Sequence, residues 1–242
     1  MTHGLVLLSG GLDSTTVAAH AVRSGRAIRA LCIRYGQLHD RETRSAESVA
    51  ERLGIPIDVV DARFYRELAW NSSLTSGDGL VLPTGRVASE MATDIPSTYV
   101  PLRNTFFITL AAAALESWML ALIERDGVDP ATLQPAIFVG ANAIDYSGYP
   151  DCRPEFYNTI RETLRLGSKL GTQYGVEIVM EAPIITMSKA EIVRYAVELD
   201  APLELTWSCY AGGDEPCGAC DSCILRAAGF AEAGVADPAL PR

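Results

Sequence analysis

The stretch LVLLSGGLDSTT, residues 5–16, decides the architecture. An apolar run ends on Ser9 and two glycines, and an aspartate among hydroxyl side chains then opens an Ala-rich segment. A short continuous apolar run bounded by glycine reads as a strand buried on both faces, and the segment after it as a helix. Glycines at the junction permit a sharp turn and bring backbone N–H groups close to a ligand, while the helix start offers unsatisfied donors and a partial positive charge. Phosphate suits that geometry. The hydroxyls of Ser9, Ser14, Thr15 and Thr16 add donors at the same point. Asp13 would repel a phosphate unless a divalent cation stood between them, which predicts Mg²⁺. A plain strand-to-helix turn, with Ser or Asp capping the helix, is the competing explanation of these residues. Neither the Gly-Lys-Ser/Thr of a Walker A loop nor the third glycine of a dinucleotide fingerprint is present.

Working outward, strand patterns at residues 4–8, 28–35 and 57–62 alternate with amphipathic helix patterns at 14–24 and 40–53. That order predicts a parallel sheet with right-handed crossovers. In the second helix Ala46, Val49, Ala50 and Leu53 form the dry side, and Arg41, Glu42, Arg44, Glu47, Ser48 and Glu51 the wet side. Residues 71–95, rich in Ser, Gly, Thr and Pro, read as a long loop over a site. Residues 105–123, TFFITLAAAALESWMLALI, approach the ~20 residues that a bilayer requires. Glu116 and Ser117 interrupt the run, and a helix buried against the sheet is expected in place of a membrane span. Further along, a strand at 136–140, a helix from 155 to about 170, a strand at 177–183 and a helix at 187–200 complete the pattern. Ser188 and Glu191 stand at capping-box spacing in that last helix. The final ten residues are expected to fray.

With 242 residues and 48% hydrophobic content, the chain has material for one main domain and a small appendage. Its formal net charge of −10 argues against a nucleic-acid partner, because backbone binding requires clustered Lys and Arg. The first residues lack a basic region followed by a long apolar segment, so a cytoplasmic location is expected. Of the cysteines, Cys32 lies in a strand pattern and reads as a core residue. Cys209, Cys217, Cys220 and Cys223 crowd together, and in a reducing compartment that spacing favours metal over disulfides. Four thiolates with no neighbouring His or carboxylate suit one tetrahedral, structural Zn²⁺. An iron–sulfur cluster is the alternative, with Arg226 where a ferredoxin-type run would place its next cysteine. The expected division is residues 1–205 as a nucleotide-binding α/β domain and 206–242 as a four-cysteine zinc segment.

The order Ser-Gly-Gly-x-Asp-Ser after a first strand resembles the pyrophosphate loop of the ATP pyrophosphatase superfamily. Other motifs narrow the resemblance: YGQLH at 35–39, SSLT at 72–75, STYVPLRN at 97–104, DYSGYPDCRPEF at 145–156, SKAEI at 188–192, and TWSCY with CGACDSC near the end. Together they are similar to the 7-cyano-7-deazaguanine synthase family of the queuosine pathway. The resemblance implies an open parallel sheet flanked by helices, adenine nucleotide alpha-hydrolase-like, with a small zinc-binding appendage. It implies an ATP-dependent carbon–nitrogen ligase that converts 7-carboxy-7-deazaguanine and ammonia to the nitrile through an adenylate and an amide. A homodimer is implied as well.

Site roles follow from the same resemblance. Leu8, Ser9, Gly10, Gly11, Leu12, Asp13, Ser14 and Thr15 form the nucleotide loop, and Asp13, Ser14, Lys189 and Arg103 the catalytic set. Lys189 is aimed at ATP phosphates, with Arg103 and Asn104 near them, and Tyr35, Gln37 and His39 take the adenosine side. Tyr146 and Tyr149 stack on the deazapurine, Asp145 or Asp151 accepts from its amino group, and Arg153 pairs with its carboxylate. Leu38 and Asp40 depart from the family pattern after YGQ. That departure keeps open a paralogue that delivers the deazaguanine to another amine. A tRNA-thiolating relative and a non-catalytic nucleotide-binding module are further alternatives.

Overall fold

The computed structural model describes residues 2–37, 39–75, 80–86, 95–142 and 149–240. Strands β1 (Thr2–Leu7), β2 (Ala27–Arg34), β3 (Ile57–Asp61), β4 (Gln134–Phe138) and β5 (Val179–Glu181) form one sheet in the order β3-β2-β1-β4-β5. Every pairing is parallel, with Val6 opposite Ala30 on one side and Phe138 on the other. As the central strand, β1 buries His3, Gly4, Leu5 and Val6 in succession, which explains its unbroken apolar run. The edge strand β3 carries exposed residues instead.

Helices α1 (Leu12–Arg23), α2 (Arg41–Leu53), α7 (Lys189–Glu198) and α8 (Asp221–Ala233) cover one face, where Val6, Val17, Ala18, Val49, Phe138 and Ile192 pack together. The other face lies under α4 (Arg103–Glu124), α5 (Pro154–Gly167) and α6 (Lys169–Tyr174), against Leu5, Ile137, Ile108, Leu115 and Met119. In α4 the stripe Ile108, Ala111, Ala112, Leu115 and Met119 is buried, while Thr109, Ala113 and Ser117 are exposed, so the apolar run is in part a core helix. A short helix α3 (Tyr65–Leu68), absent from the sequence reading, stacks Tyr65 on Phe106 of α4 with ring centroids 4.4 Å apart.

Three local expectations change. The helix anticipated from 155 to 170 breaks at Ser168, whose extended backbone caps α6 by accepting the Gly171 N–H at 3.0 Å. A serine that offers the backbone this alternative stops a helix from continuing. The C-terminal end is tied down, because the Arg226 guanidinium binds the Asp237 carboxylate at 2.6 and 2.9 Å. Glu42 leaves the wet side of α2 and faces a cavity, as described below.

Strand order reverses direction at β1: the chain passes to β2 and β3 on one side, then returns to β4 and β5 on the other. Loops leaving β1 and β4 therefore diverge at their carboxyl ends, and a crevice opens where ligands of such sheets bind. Gly140, just beyond β4, makes this junction tight, since a Cβ there would lie 3.1 Å from Ser14 N and Cα.

Candidate active site and thiolate centre

The turn between β1 and α1 owes its shape to Gly10. Its φ of +85° is one that side-chain-bearing residues avoid, and a Cβ would meet Glu42 O at 2.5 Å and Ala46 N at 2.6 Å. The turn thus presses against α2, and Trp207 N–H bonds to the Gly10 carbonyl at 2.9 Å from the other side. Ser14 Oγ lies 3.0 Å from Ser9 Oγ and accepts from Ser9 N–H at 3.2 Å, which draws the two hydroxyls together at the start of α1. Gly11 caps α1 without a side-chain hydrogen bond, so first-turn N–H groups remain for an anion.

Across the crevice, Lys189 begins α7. The expected capping box is formed there: Ser188 N–H donates to Glu191 Oε2 at 2.7 Å, and Glu191 N–H to Ser188 Oγ at 3.3 Å. The Lys189 ammonium reaches Asp13 at 2.8 and 2.9 Å, and its stem lies directly on Gly229 of α8. Arg103, the first residue of α4, donates to Tyr35 OH at 3.4 Å with its guanidinium 5.6 Å from that ring. A planar cation that never deprotonates stands here against an aromatic floor.

These groups line one cavity of ≈ 280 Å³. Of the sequence-derived set, Ser9, Gly11, Leu12, Asp13, Ser14, Tyr35, Gln37, His39, Arg103, Asn104, Tyr149 and Lys189 face it. Leu8 and Thr15 do not; both are buried in the core beneath the turn. Tyr149 is buried and shares a 2.7 Å hydrogen bond with Thr98. Asp151 is buried beside the cavity lining without being part of it, and burial raises its pKa. Arg153 caps α5, is exposed, and lies away from the lining, so the structure does not bring it to the other predicted groups. Asp145 and Tyr146 lie outside the described residues.

The cavity also contains residues the sequence reading passed over. Glu42 enters from α2, Cys152 and Tyr157 from the region of α5, and Trp207, Tyr210 and Arg226 from the C-terminal segment. Burial pushes the Glu42 carboxyl up to about 7, against the pull of the Arg103 charge. It likewise pushes the Cys152 thiol up to about 12, which favours its neutral form. Cys32, also at about 12 through burial, is the core residue its strand position suggested. Helical periodicity placed Glu42 among solvated charges; its position at the first turn of α2, beside a glycine turn, was the available signal.

Behind this wall, Cys209, Cys217, Cys220 and Cys223 bring their sulfurs within 4.8 Å of one another. Tetrahedral Zn–S bonds of about 2.3 Å place sulfurs roughly 3.8 Å apart, so the four-cysteine cluster fits a zinc site. Backbone N–H groups turn toward the sulfurs: Cys217 and Ala211 donate to Cys209 Sγ at 3.3 and 3.4 Å, and Cys220 to Cys217 Sγ at 3.4 Å. The Cys223 thiol hydrogen bond brings Cys220 down to about 5 in spite of desolvation, and the Cys223 pKa rises in return. Such crowding favours thiolates neutralised by a cation. The centre also holds its surroundings: Thr84 pairs with Cys220, Gly85 N–H bonds to Ala219 O at 2.9 Å, and Arg86 Nε reaches Asp221 at 3.1 Å.

Comparisons with known proteins place the chain in a family. The model of the family described as "Queuosine biosynthesis protein QueC" matches residues 3–234. A 7-cyano-7-deazaguanine synthase of Thermoplasma acidophilum is 44% identical over 234 residues, covering 97% of this chain and 90% of its own. One from Nostoc punctiforme is 43% identical, covering 97% of each, and one from Synechococcus elongatus 45%, covering 97% of this chain and 93% of its own. With so much of its length matched at that identity, the chain belongs to the QueC family.

Proposed function

We propose that this cavity carries out the ATP-dependent synthesis of 7-cyano-7-deazaguanine, by turning a carboxyl oxygen of the deazaguanine into a leaving group. As a QueC family member the chain has this synthase function in queuosine biosynthesis, with ATP and a deazaguanine as substrates. The observation that carries the mechanism is the meeting, at the β1/β4 crevice, of the serine-lined turn, the Lys189–Asp13 pair and the half-buried Arg103.

A carboxylate is inert toward ammonia. Attack of its oxygen on the α-phosphorus of ATP expels pyrophosphate and gives an acyl adenylate; ammonia then displaces AMP to form an amide. A second adenylation, on the amide oxygen, permits loss of AMP to the nitrile. The chain's contribution is position and charge. Ser9, Ser14 and the first N–H groups of α1 receive the leaving pyrophosphate, and Lys189 moves from Asp13 to the phosphates. Asp13, released by Lys189, would hold Mg²⁺, which would supply further charge neutralisation. Tyr35, Gln37 and His39 flank the adenosine, and Tyr149 the deazapurine. Arg103, not Arg153, is the cavity cation able to meet the substrate carboxylate. The four cysteines hold a structural Zn²⁺ that fixes the wall carrying Trp207 and Tyr210. Two such chains form the active assembly, a state that sedimentation would read directly.

The test is incubation of the protein with 7-carboxy-7-deazaguanine, ATP, Mg²⁺ and ammonium. Pyrophosphate, AMP and a product with the mass of the nitrile are expected. Pyrophosphate release that stops at adenylate or amide would point to another acceptor amine.

A further inference from the structure

Glu42 lines the cavity and has no place in the scheme above. It stands in the first turn of α2, and its carbonyl oxygen is one of the atoms that a Cβ on Gly10 would strike. The turn that receives the phosphates therefore also sets where this side chain enters. Among the described residues the carboxyl has no hydrogen bond or ion pair. It faces Arg103 from α4, and Tyr35 and Cys32 from β2 and its end.

Of the other titratable groups lining the cavity, Tyr35, Cys152 and Asp13 are poor proton acceptors. Tyr35 is pushed upward by burial and stays a phenol, and Cys152 stays a thiol. Asp13 is engaged by Lys189. His39, whose buried Nδ1 has no hydrogen-bond partner among the described residues, packs on Gly212 and Trp207 of the C-terminal segment, and Asp151, the other carboxyl near Arg103, lies outside the cavity lining. An unengaged carboxyl at neutral pH, beside a fixed cation, is left to take up a proton.

We propose that Glu42 is the proton acceptor for nitrile formation, taking the nitrogen proton as the adenylated amide collapses. The adenylated amide first releases one nitrogen proton to solvent as a neutral imidate; in the collapse its remaining N–H bond breaks and that electron pair becomes the second C–N π bond. The C–O bond to AMP breaks with its electrons on AMP, and the proton passes to a Glu42 oxygen, from which solvent later removes it. No oxidant or further co-reactant enters. The inference rests on the adenylation mechanism of the preceding section.

The test supplies ATP and Mg²⁺ with either the acid plus ammonium or the preformed amide, and follows pyrophosphate, amide and nitrile by rapid quench. In Glu42→Gln, pyrophosphate release and amide formation from the acid persist, while nitrile formation from the amide falls about 10²–10⁴-fold. Glu42→Asp restores part of that loss. For the unaltered protein the nitrile step rises with pH to a plateau above about 7, and Glu42→Gln lacks this limb. Nitrile formation at the original rate in Glu42→Gln overturns the inference, as does an equal loss in both half-reactions, which would mark a binding role. Should Glu42→Gln fail to fold by circular dichroism, Glu42→Asp decides: an unshifted pH limb at full rate overturns it. If the unaltered protein releases no pyrophosphate, the adenylation mechanism itself is at fault.

Discussion

Gly229→Ala separates positioning of Lys189 from stability, although Gly229 lies on α8 and does not line the cavity. A Cβ at this position would fall on Lys189 Cγ and lie 2.9 Å from its Cβ and 3.2 Å from its carbonyl carbon. The lysine stem must move, and the ammonium that reaches Asp13 at 2.8 Å moves with it. Two effects on stability oppose each other: alanine inside a helix gains about 1 kcal/mol over glycine, while overpacking costs about 1–3 kcal/mol. The net loss of about 0–2 kcal/mol lowers Tm by at most about 8 °C for a chain of this size. Displacing a phosphate-binding group by about 1 Å costs roughly 10²-fold in rate. The assay is pyrophosphate release at several ATP concentrations, with a melting curve on the same sample. A kcat/KM for ATP within about threefold of the original would refute the placement of Lys189. So would a Tm so low that lost activity merely follows the folded fraction.

Arg103→Met removes the half-buried cavity cation at similar length, and kcat/KM for the deazaguanine acid falls by about 10–100-fold. Arg153→Ala, at an exposed position, leaves the same quantity within about twofold, and a larger effect there would restore Arg153 to the site. Stripping metal with a strong chelator under reducing conditions frees the start of α8 and the docking of residues 84–86, so Tm falls and pyrophosphate release is lost. An unchanged Tm in protein shown by elemental analysis to be metal-free would count against that reading. The pH dependence of stability at Glu42 has a definite sign. Its folded pKa of about 7 lies above the 4.5 of an ordinary glutamate, so the folded state binds more protons between those values. Stability therefore declines as pH rises from 4.5 to 7 and levels off above. Glu42→Gln removes this penalty and stabilises the protein by about 1–2 kcal/mol at pH 8 after allowance for solvent in the cavity. The gain vanishes near pH 4.5, and a gain independent of pH would exclude the assignment.

The local pattern carried most of the architecture. The continuous apolar run of β1, the glycine turn, the Ser188 capping box and the four cysteines each depend on residues close in sequence, where period and spacing reflect structure directly. The parallel sheet and the positions of α1, α2 and α7 follow from them. Three-dimensional contact settled the rest. Glu42 has the helical phase of a surface residue, yet it faces inward because α4, remote in sequence, encloses the first turn of α2 together with the end of β2. Arg103 and Arg153 look alike as loop-to-helix arginines, but the sheet crossover directs one into the crevice and leaves the other in solvent. The contact of Gly229 with Lys189 arises only when α8 lies along α7, and that of Arg226 with Asp237 only when the chain after α8 folds back on it. Sequence periodicity reports which face of one element is dry; which elements meet there, and hence which charges are drawn out of water, is determined by packing between distant segments.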